Sequence, residues 1–281
     1  MSMPRERRFH QLDVFTDTAL RGNPLAVIHD AEGLDEATLA AMARWTNLSE
    51  TTFLLPPTDP AADYRVRIFT PGGELPFAGH PTLGSCQAWL LAGGQPLQAG
   101  EVIQQCGVGH VRVRRESRRL AFAAPPCQIT EVDPSLLASV LAALGLQPGQ
   151  LQQARWLDNG PRWLGLLLDS ADTVRALRPD HAALKTLAKV GVIAPQNAAD
   201  GTDFEVRGFV APIGIDEDPV TGSLNAGLAQ WLIGAGLAPA HYVAAQGSQL
   251  GRAGRVHVAR EGDTVWVGGE VAVVIQGTVA L

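Results

Sequence analysis

One run limits what this chain can fold into more than any other: Gly208 to Gly236. It opens on an acidic loop, Asp216-Glu217-Asp218, and passes through the turn Pro219-Val220-Thr221-Gly222-Ser223. It then continues into Leu224 to Ile233, which is apolar on nearly every side. A helix that is hydrophobic all round is a buried helix. Its start is therefore expected inside the protein too, where free N–H donors need partners, and a bound anion is one natural partner. The outline is that of a small-molecule site served by a loop with acidic side chains.

The chain carries a second copy of this run. Pro76-Phe77-Ala78-Gly79-His80-Pro81 leads into Thr82 to Leu91. Gly79 answers Gly222 at a distance of 143 positions, and Trp89-Leu90-Leu91 answers Trp231-Leu232-Ile233 at 142. That offset is about half the chain. Self-similarity on this scale points to two related domains, each on one central helix, rather than to a solenoid of short repeats. The plain alternative is a chance likeness of two apolar helices.

At 281 residues the chain exceeds a usual single core. With 46% hydrophobic and 18% charged residues it is globular rather than disordered. A net charge of −6 gives no footprint for nucleic acid, and no apolar run is long enough for a membrane span. The polar, basic stretch Met1 to Gln11 lacks the apolar core of a secretion signal. Three scattered cysteines, Cys86, Cys106 and Cys127, argue against a disulfide framework and for a reducing cytoplasm. Seven dispersed histidines, with no pair at helical spacing, argue against zinc.

Pattern places strands at Phe9–Thr16, Leu25–Ile28, Ser49–Leu55 and Tyr64–Phe69, and a helix at Glu36–Trp45 capped by Asp35 with a Leu34–Leu39 staple. A hairpin is expected around Cys106-Gly107-Val108-Gly109. Pro125-Pro126 is the best domain boundary. Helices follow at Asp133–Leu144, Ala171–Leu177 and His181–Lys189. Two strands broken at Asn159-Gly160-Pro161 are expected between Trp156 and Leu168, and others at Val192-Ile193, Phe204–Val206, Tyr242–Gln246, Val256–Ala259, Val265–Val267 and Val271–Ile275. With a sheet curled around each central helix, both helix starts could face one cleft, and domain interfaces are common ligand sites.

Glu50, between a helix and an apolar strand, reads either as an ordinary exposed strand-edge carboxylate or as a general acid/base. Apolar surroundings bring a carboxylate closer to working pH. His80, at a helix start, is either structural or a neutral hydrogen-bond donor, since a helix N-terminus disfavours its charged form. Asp218 ends an acidic run that is ordinarily a solvated loop, yet it directly precedes the turn. Ser223 suits an N-cap or a hold on a substrate carboxylate. No Walker-type or dinucleotide-binding glycine pattern is present, no lysine suggests a Schiff base, and nothing calls for an organic cofactor.

Ser49-Glu50-Thr51-Thr52-Phe53, Arg67-Ile68-Phe69-Thr70-Pro71, Glu74-Leu75-Pro76-Phe77-Ala78-Gly79-His80-Pro81 and Glu217-Asp218-Pro219-Val220-Thr221-Gly222-Ser223 together resemble the phenazine-biosynthesis PhzF-like family. The Arg21-Gly22-Asn23-Pro24 turn and the closing Gly277 to Leu281 match as well, so the resemblance runs nearly end to end. It implies a diaminopimelate epimerase-like α+β fold of two pseudo-symmetric domains, each a curved, largely antiparallel sheet around a central apolar helix. The boundaries expected are 1–125, completed by a last strand at about 270–281, and 126–269.

The resemblance also implies a cofactor- and metal-free, cytoplasmic, homodimeric isomerase that shifts a proton on a small carboxylate-bearing substrate, cyclohexadiene- or amino-acid-like. Glu50 would be the acid/base, with His80 and Asp218 in support, and Ser49, Gly79, Gly222 and Ser223 would bind substrate. Epimerases on this fold use two cysteines at the helix starts. Here those turns carry no thiol, so two-thiol racemisation is not expected. Leu224-Asn225 depart from the small residues of the phenazine enzyme and are expected to alter the pocket wall. A thiol-free epimerase or racemase, and a non-catalytic carboxylate-binding protein, are the other readings.

Overall fold

The computed structural model describes residues 5–281, so residues 1–4 of the basic N-terminal stretch lie outside the described residues. The chain forms two compact units. One takes the chain as far as Ala123 and adds Gly268–Leu281, and the other is Ala124–Val267.

The first unit holds β1 (Glu6–Val14), β2 (Asn23–Ile28), α1 (Glu36–Thr46), β3 (Thr51–Leu55), β4 (Tyr64–Thr70), β5 (Gly73–Leu75), α2 (Gly79–Leu91), β6 (Glu101–Cys106), β7 (Gly109–Glu116), β8 (Arg119–Ala123) and the last strand of the chain, β18 (Val271–Ala280). β1 pairs antiparallel with both β18 and β2. β2 runs parallel to β3, and β3 antiparallel to β4. β4 takes β5 antiparallel at one end and β6 parallel at the other, and β6, β7 and β8 continue antiparallel. α2 touches β1, β2, β3, β6, β7, β8 and β18, so the sheet wraps around it. Gly84 lets the helix approach this closely: a Cβ there would stand 2.5 Å from Leu25 Cδ2.

The second unit holds β9 (Gln128–Thr130), α3 (Pro134–Leu144), β10 (Leu151–Asp158), β11 (Arg162–Leu168), α4 (Ala171–Ala176), α5 (His181–Leu184), β12 (Val190–Pro195), β13 (Phe204–Phe209), β14 (Glu217–Asp218), α6 (Gly222–Gly234), β15 (His241–Gln246) and β16 (Gly254–Glu261), with β17 (Thr264–Gly269) following. Its pairings repeat the first unit strand by strand. β10 and β11 are antiparallel, β11 and β12 parallel, β12 and β13 antiparallel. β13 takes β14 antiparallel and β15 parallel, and β15 and β16 are antiparallel. α6 packs on β10, β11 and β16. At Gly191 a Cβ would stand 2.1 Å from Leu224 Cδ1, so the absent side chain makes room for the helix. The fold is α+β, and each unit is a mostly antiparallel sheet curled on one apolar helix.

Most local expectations hold, with physical reasons visible. The Asp35 carboxylate accepts from the Thr38 N–H at 2.8 Å, and Leu34 and Leu39 share one cluster. Three expectations shift. β1 stops at Val14 because Phe15 takes a left-handed φ of 68°. The helix expected over His181–Lys189 ends at Leu184. β18 runs on to Ala280 because it pairs with β1 over its whole length.

Candidate active site

In the first unit the sequence-derived candidates converge. α1 ends on Asn47, which takes the left-handed conformation, and the short link that follows carries Ser49 and Glu50 to the start of β3. α2 begins nearby. Its N-cap, Ala78, has no side chain that could cap, and its first residues are Gly79 and His80, both buried. Glu50 Oε2 lies 3.5 Å from His80 Nε2, too long for a strong hydrogen bond but within ion-pair range. Both side chains are mostly shielded, with relative exposures of 15% and 4%. Burial pushes the imidazole down to about 3, against the opposing hydrogen bond to the Pro24 backbone. His80 is therefore neutral at physiological pH, an uncharged ring held against a carboxylate.

Sequence reasoning assigned no role to Asn23, the fully buried first residue of β2. Its Nδ2 is 3.3 Å from His80 Nδ1, and its Oδ1 accepts from the Ser49 hydroxyl at 3.3 Å. One amide thus ties together the residues before β3 and the start of α2. The Arg21-Gly22-Asn23-Pro24 turn was the signal that could have found it.

In the second unit the candidates Asp218, Gly222 and Ser223 lie at the start of α6. The N-cap is Thr221, not Ser223, which is the second helical residue. Thr221 does not cap the helix with its side chain. Its hydroxyl donates to Asp218 Oδ2 at 2.6 Å and accepts from Gln246 Nε2 at 3.0 Å. Gln246 Oε1 in turn accepts from the Thr221 N–H at 3.0 Å and from Asn225 Nδ2 at 2.8 Å. Asp218 is held through this network and by the pairing of β14 with β13.

Ser223 is held from two sides. Trp163 Nε1 donates to its Oγ at 3.2 Å, and Asn159 Nδ2 donates to its carbonyl at 2.8 Å. An indole N–H can only donate, so Ser223 Oγ accepts there and its own hydrogen is directed elsewhere. Leu224 and Asn225, expected to alter a pocket wall, are instead fully buried within their own unit, Leu224 against Gly191 and Asn225 on Gln246.

The first residues of the two helices, Gly79-His80 and Gly222-Ser223, carry no thiol. Cys86 is fully buried seven residues into α2, and burial pushes its thiol up. Burial also raises Cys127, to about 11. Among the described residues no group of three or more His, Cys, Asp or Glu side chains could hold a metal ion, and no helix is long and apolar enough to cross a membrane.

The family described as phenazine biosynthesis-like protein matches residues 12–278. The chain belongs to that family. It is 35% identical to the trans-2,3-dihydro-3-hydroxyanthranilate isomerase of Pseudomonas aeruginosa, over 91% of this chain and 91% of that protein. It is 34% identical to antisense-enhancing sequence 1 of Schizosaccharomyces pombe, over 97% of this chain and 98% of that protein. The solved structure of a PhzF-family phenazine biosynthesis protein from Enterococcus faecalis superposes with a TM-score of 0.82 at 26% identity, covering 99% of this chain and all of that one. As a member of this family, the protein is an isomerase.

Proposed function

We infer that this protein moves a proton between two positions of a small carboxylate-bearing substrate, cyclohexadiene- or amino-acid-like, by acid/base catalysis from Glu50. The observation that carries this reading is the Glu50–His80 contact of 3.5 Å at the buried start of α2, a helix without a side-chain cap. A carboxylate there can take a proton from a carbon beside an electron-withdrawing group and return it, as the acid, at another carbon. The electron pair left behind spreads into the conjugated system meanwhile, and Glu50 ends as it began. Neutral His80 can donate a hydrogen bond to the charge that develops.

In this reading Asp218 supports the same charge shift, and the N–H groups at the start of α6, with the Ser223 hydroxyl, hold the carboxylate. Ser49 and Gly79 line the reacting end. The chemistry needs neither metal nor organic cofactor, because a side chain carries the proton. A cytoplasmic homodimer, without nucleic-acid or membrane partners, completes the reading.

The substrate of the Pseudomonas relative, trans-2,3-dihydro-3-hydroxyanthranilate, is the first compound to offer, followed by small cyclic and amino carboxylates. In deuterated water the label is expected at a carbon other than the one that lost its proton. Label at the same carbon with inversion would make the enzyme an epimerase. Glu50→Gln is expected to lower turnover by about 10²- to 10⁴-fold, the usual share of a general acid/base, while circular dichroism stays that of the parent. Full turnover in that variant would remove Glu50 from its role.

A further inference from the structure

The repeat of the two units gives Glu50 and His80 of the first counterparts in the second. In the first unit β3 begins at Thr51, paired with Ala26 of β2, and Glu50 is the residue before it. In the second, β12 begins at Val190, paired with Leu164 of β11, and the residue before it is Lys189. His80, second residue of α2, corresponds to Ser223, second residue of α6. Where the first unit sets a carboxylate beside an imidazole at its helix start, the second therefore sets an ammonium at the matching junction.

In the second unit the two positions are linked through Trp163. Lys189 Nζ lies 5.1 Å from the centroid of the Trp163 ring, and the edge of that ring donates its N–H to Ser223 Oγ. A cation on the indole face draws electron density from the ring and strengthens the N–H as a donor. Trp163 is buried, with 3% exposure, which holds in place the ring that carries the lysine on its face and the serine at its edge. Ser223 accepts from Trp163, so its own hydrogen is left for a ligand. That pattern selects an anionic acceptor over an amine.

We propose that Lys189, carried on the face of Trp163, is the cation that binds the substrate carboxylate at the start of α6. This rests on the reading that the start of α6 holds that carboxylate. Lys189 is then a binding residue that specifies an anion, and Trp163 is a positioning residue that acts through both of its neighbours.

The test compares 3-hydroxybenzoate with 3-hydroxybenzamide, the same ring with and without the charge, by isothermal titration against the full chain. The variants are Lys189→Met, Lys189→Arg and Ser223→Ala. In the parent the carboxylate is expected to bind more tightly than the amide. Lys189→Met is expected to weaken the carboxylate roughly 10- to 100-fold, the scale of one charge-assisted hydrogen bond. It should leave the amide within about twofold and lower the urea midpoint only slightly, for the lost ring contact, and Lys189→Arg should restore most of the loss.

A lysine that only packs on Trp163 would weaken both probes alike, which overturns the proposal. If Ser223→Ala weakens the carboxylate while Lys189→Met does not, Lys189 is excluded and the carboxylate seat stands. If neither variant discriminates between the probes, the seat and the lysine fall together.

Discussion

At the scale of single residues, the informative one is Asn23. It is fully buried and within 3.3 Å of both His80 Nδ1 and the Ser49 hydroxyl. Burial drives His80 down to about 3, against the hydrogen bond to the Pro24 backbone. Replacing the amide by a carboxylate of the same shape changes that balance. An ionised group beside the ring favours its charged form by about one to three pKa units. Asn23→Asp is therefore expected to raise the His80 titration, followed by NMR of ¹⁵N-labelled histidine, so that the ring is partly protonated at pH 5, where the parent is neutral. Turnover should fall, because a charged ring beside Glu50 holds that carboxylate as an ion pair. An unshifted His80 titration would mean that Asn23 only fills space. Glu50 and His80 were legible because each sits in a string with a recognisable pattern. Asn23, Trp163 and Lys189 were not, because their meaning arises from neighbours 26 to 60 positions away.

At the scale of elements, the two units repeat a device that sequence pattern did not reveal. Arg67 of β4 grips Glu74 of β5 with two bonds, at 2.7 and 2.6 Å, and lies 5.0 Å from the centre of the Phe69 ring. Arg207 of β13 grips Glu217 of β14 at 2.9 and 2.7 Å and lies 4.9 Å from the Phe209 ring. Each pair fastens the short strand that leads into a central helix, and the second leads directly to Asp218. Their surroundings differ. Side-chain exposures are 27% and 38% for the first pair but 5% and 6% for the second, and Arg207 also donates to the Val174 and Leu177 carbonyls. Removing one member of a buried pair strands the other charge, at about 3–5 kcal/mol, whereas an exposed pair contributes within about 1 kcal/mol. Urea unfolding should therefore find Arg207→Met far more destabilising than Arg67→Met. Equal losses would contradict the burial argument. The long elements were readable because caps and staples are local. β5, β9 and β14, two or three residues each, have too few positions for alternation to register and exist through pairing with strands already in place.

At the scale of the whole molecule, the two units share a plan, while the histidines buried among the described residues, His10, His29 and His80, all lie in the first. Among the described residues, these three histidines are held below their ordinary value. Burial lowers His80 to about 3 and, with repulsion from His10 and Arg8 outweighing Asp30, lowers His29 to about 4. His10, lowered by burial and then by Arg8, meets His29 through an Nδ1–Nε2 contact of 2.8 Å. In the unfolded chain each would take up a proton near pH 6.5. Between that value and the folded one the unfolded state binds more protons, so stability rises with pH in this window. The stabilisation is complete above about pH 6.5 and is lost as pH falls toward 4 and then 3. Each group contributes a slope of at most about 1.4 kcal/mol per pH unit. Acidification should therefore loosen the first unit ahead of the second. Hydrogen exchange read by mass spectrometry at pH 7.5 and pH 5, corrected for intrinsic rates, should show β1, β2 and α2 losing protection while α6 and β12 keep theirs. His29→Gln, outside the catalytic set, should flatten the pH dependence of the first unit alone. Equal loss in both units at pH 5 would place the acid sensitivity in the carboxylates, which both units carry, and not in this cluster of neutral imidazoles.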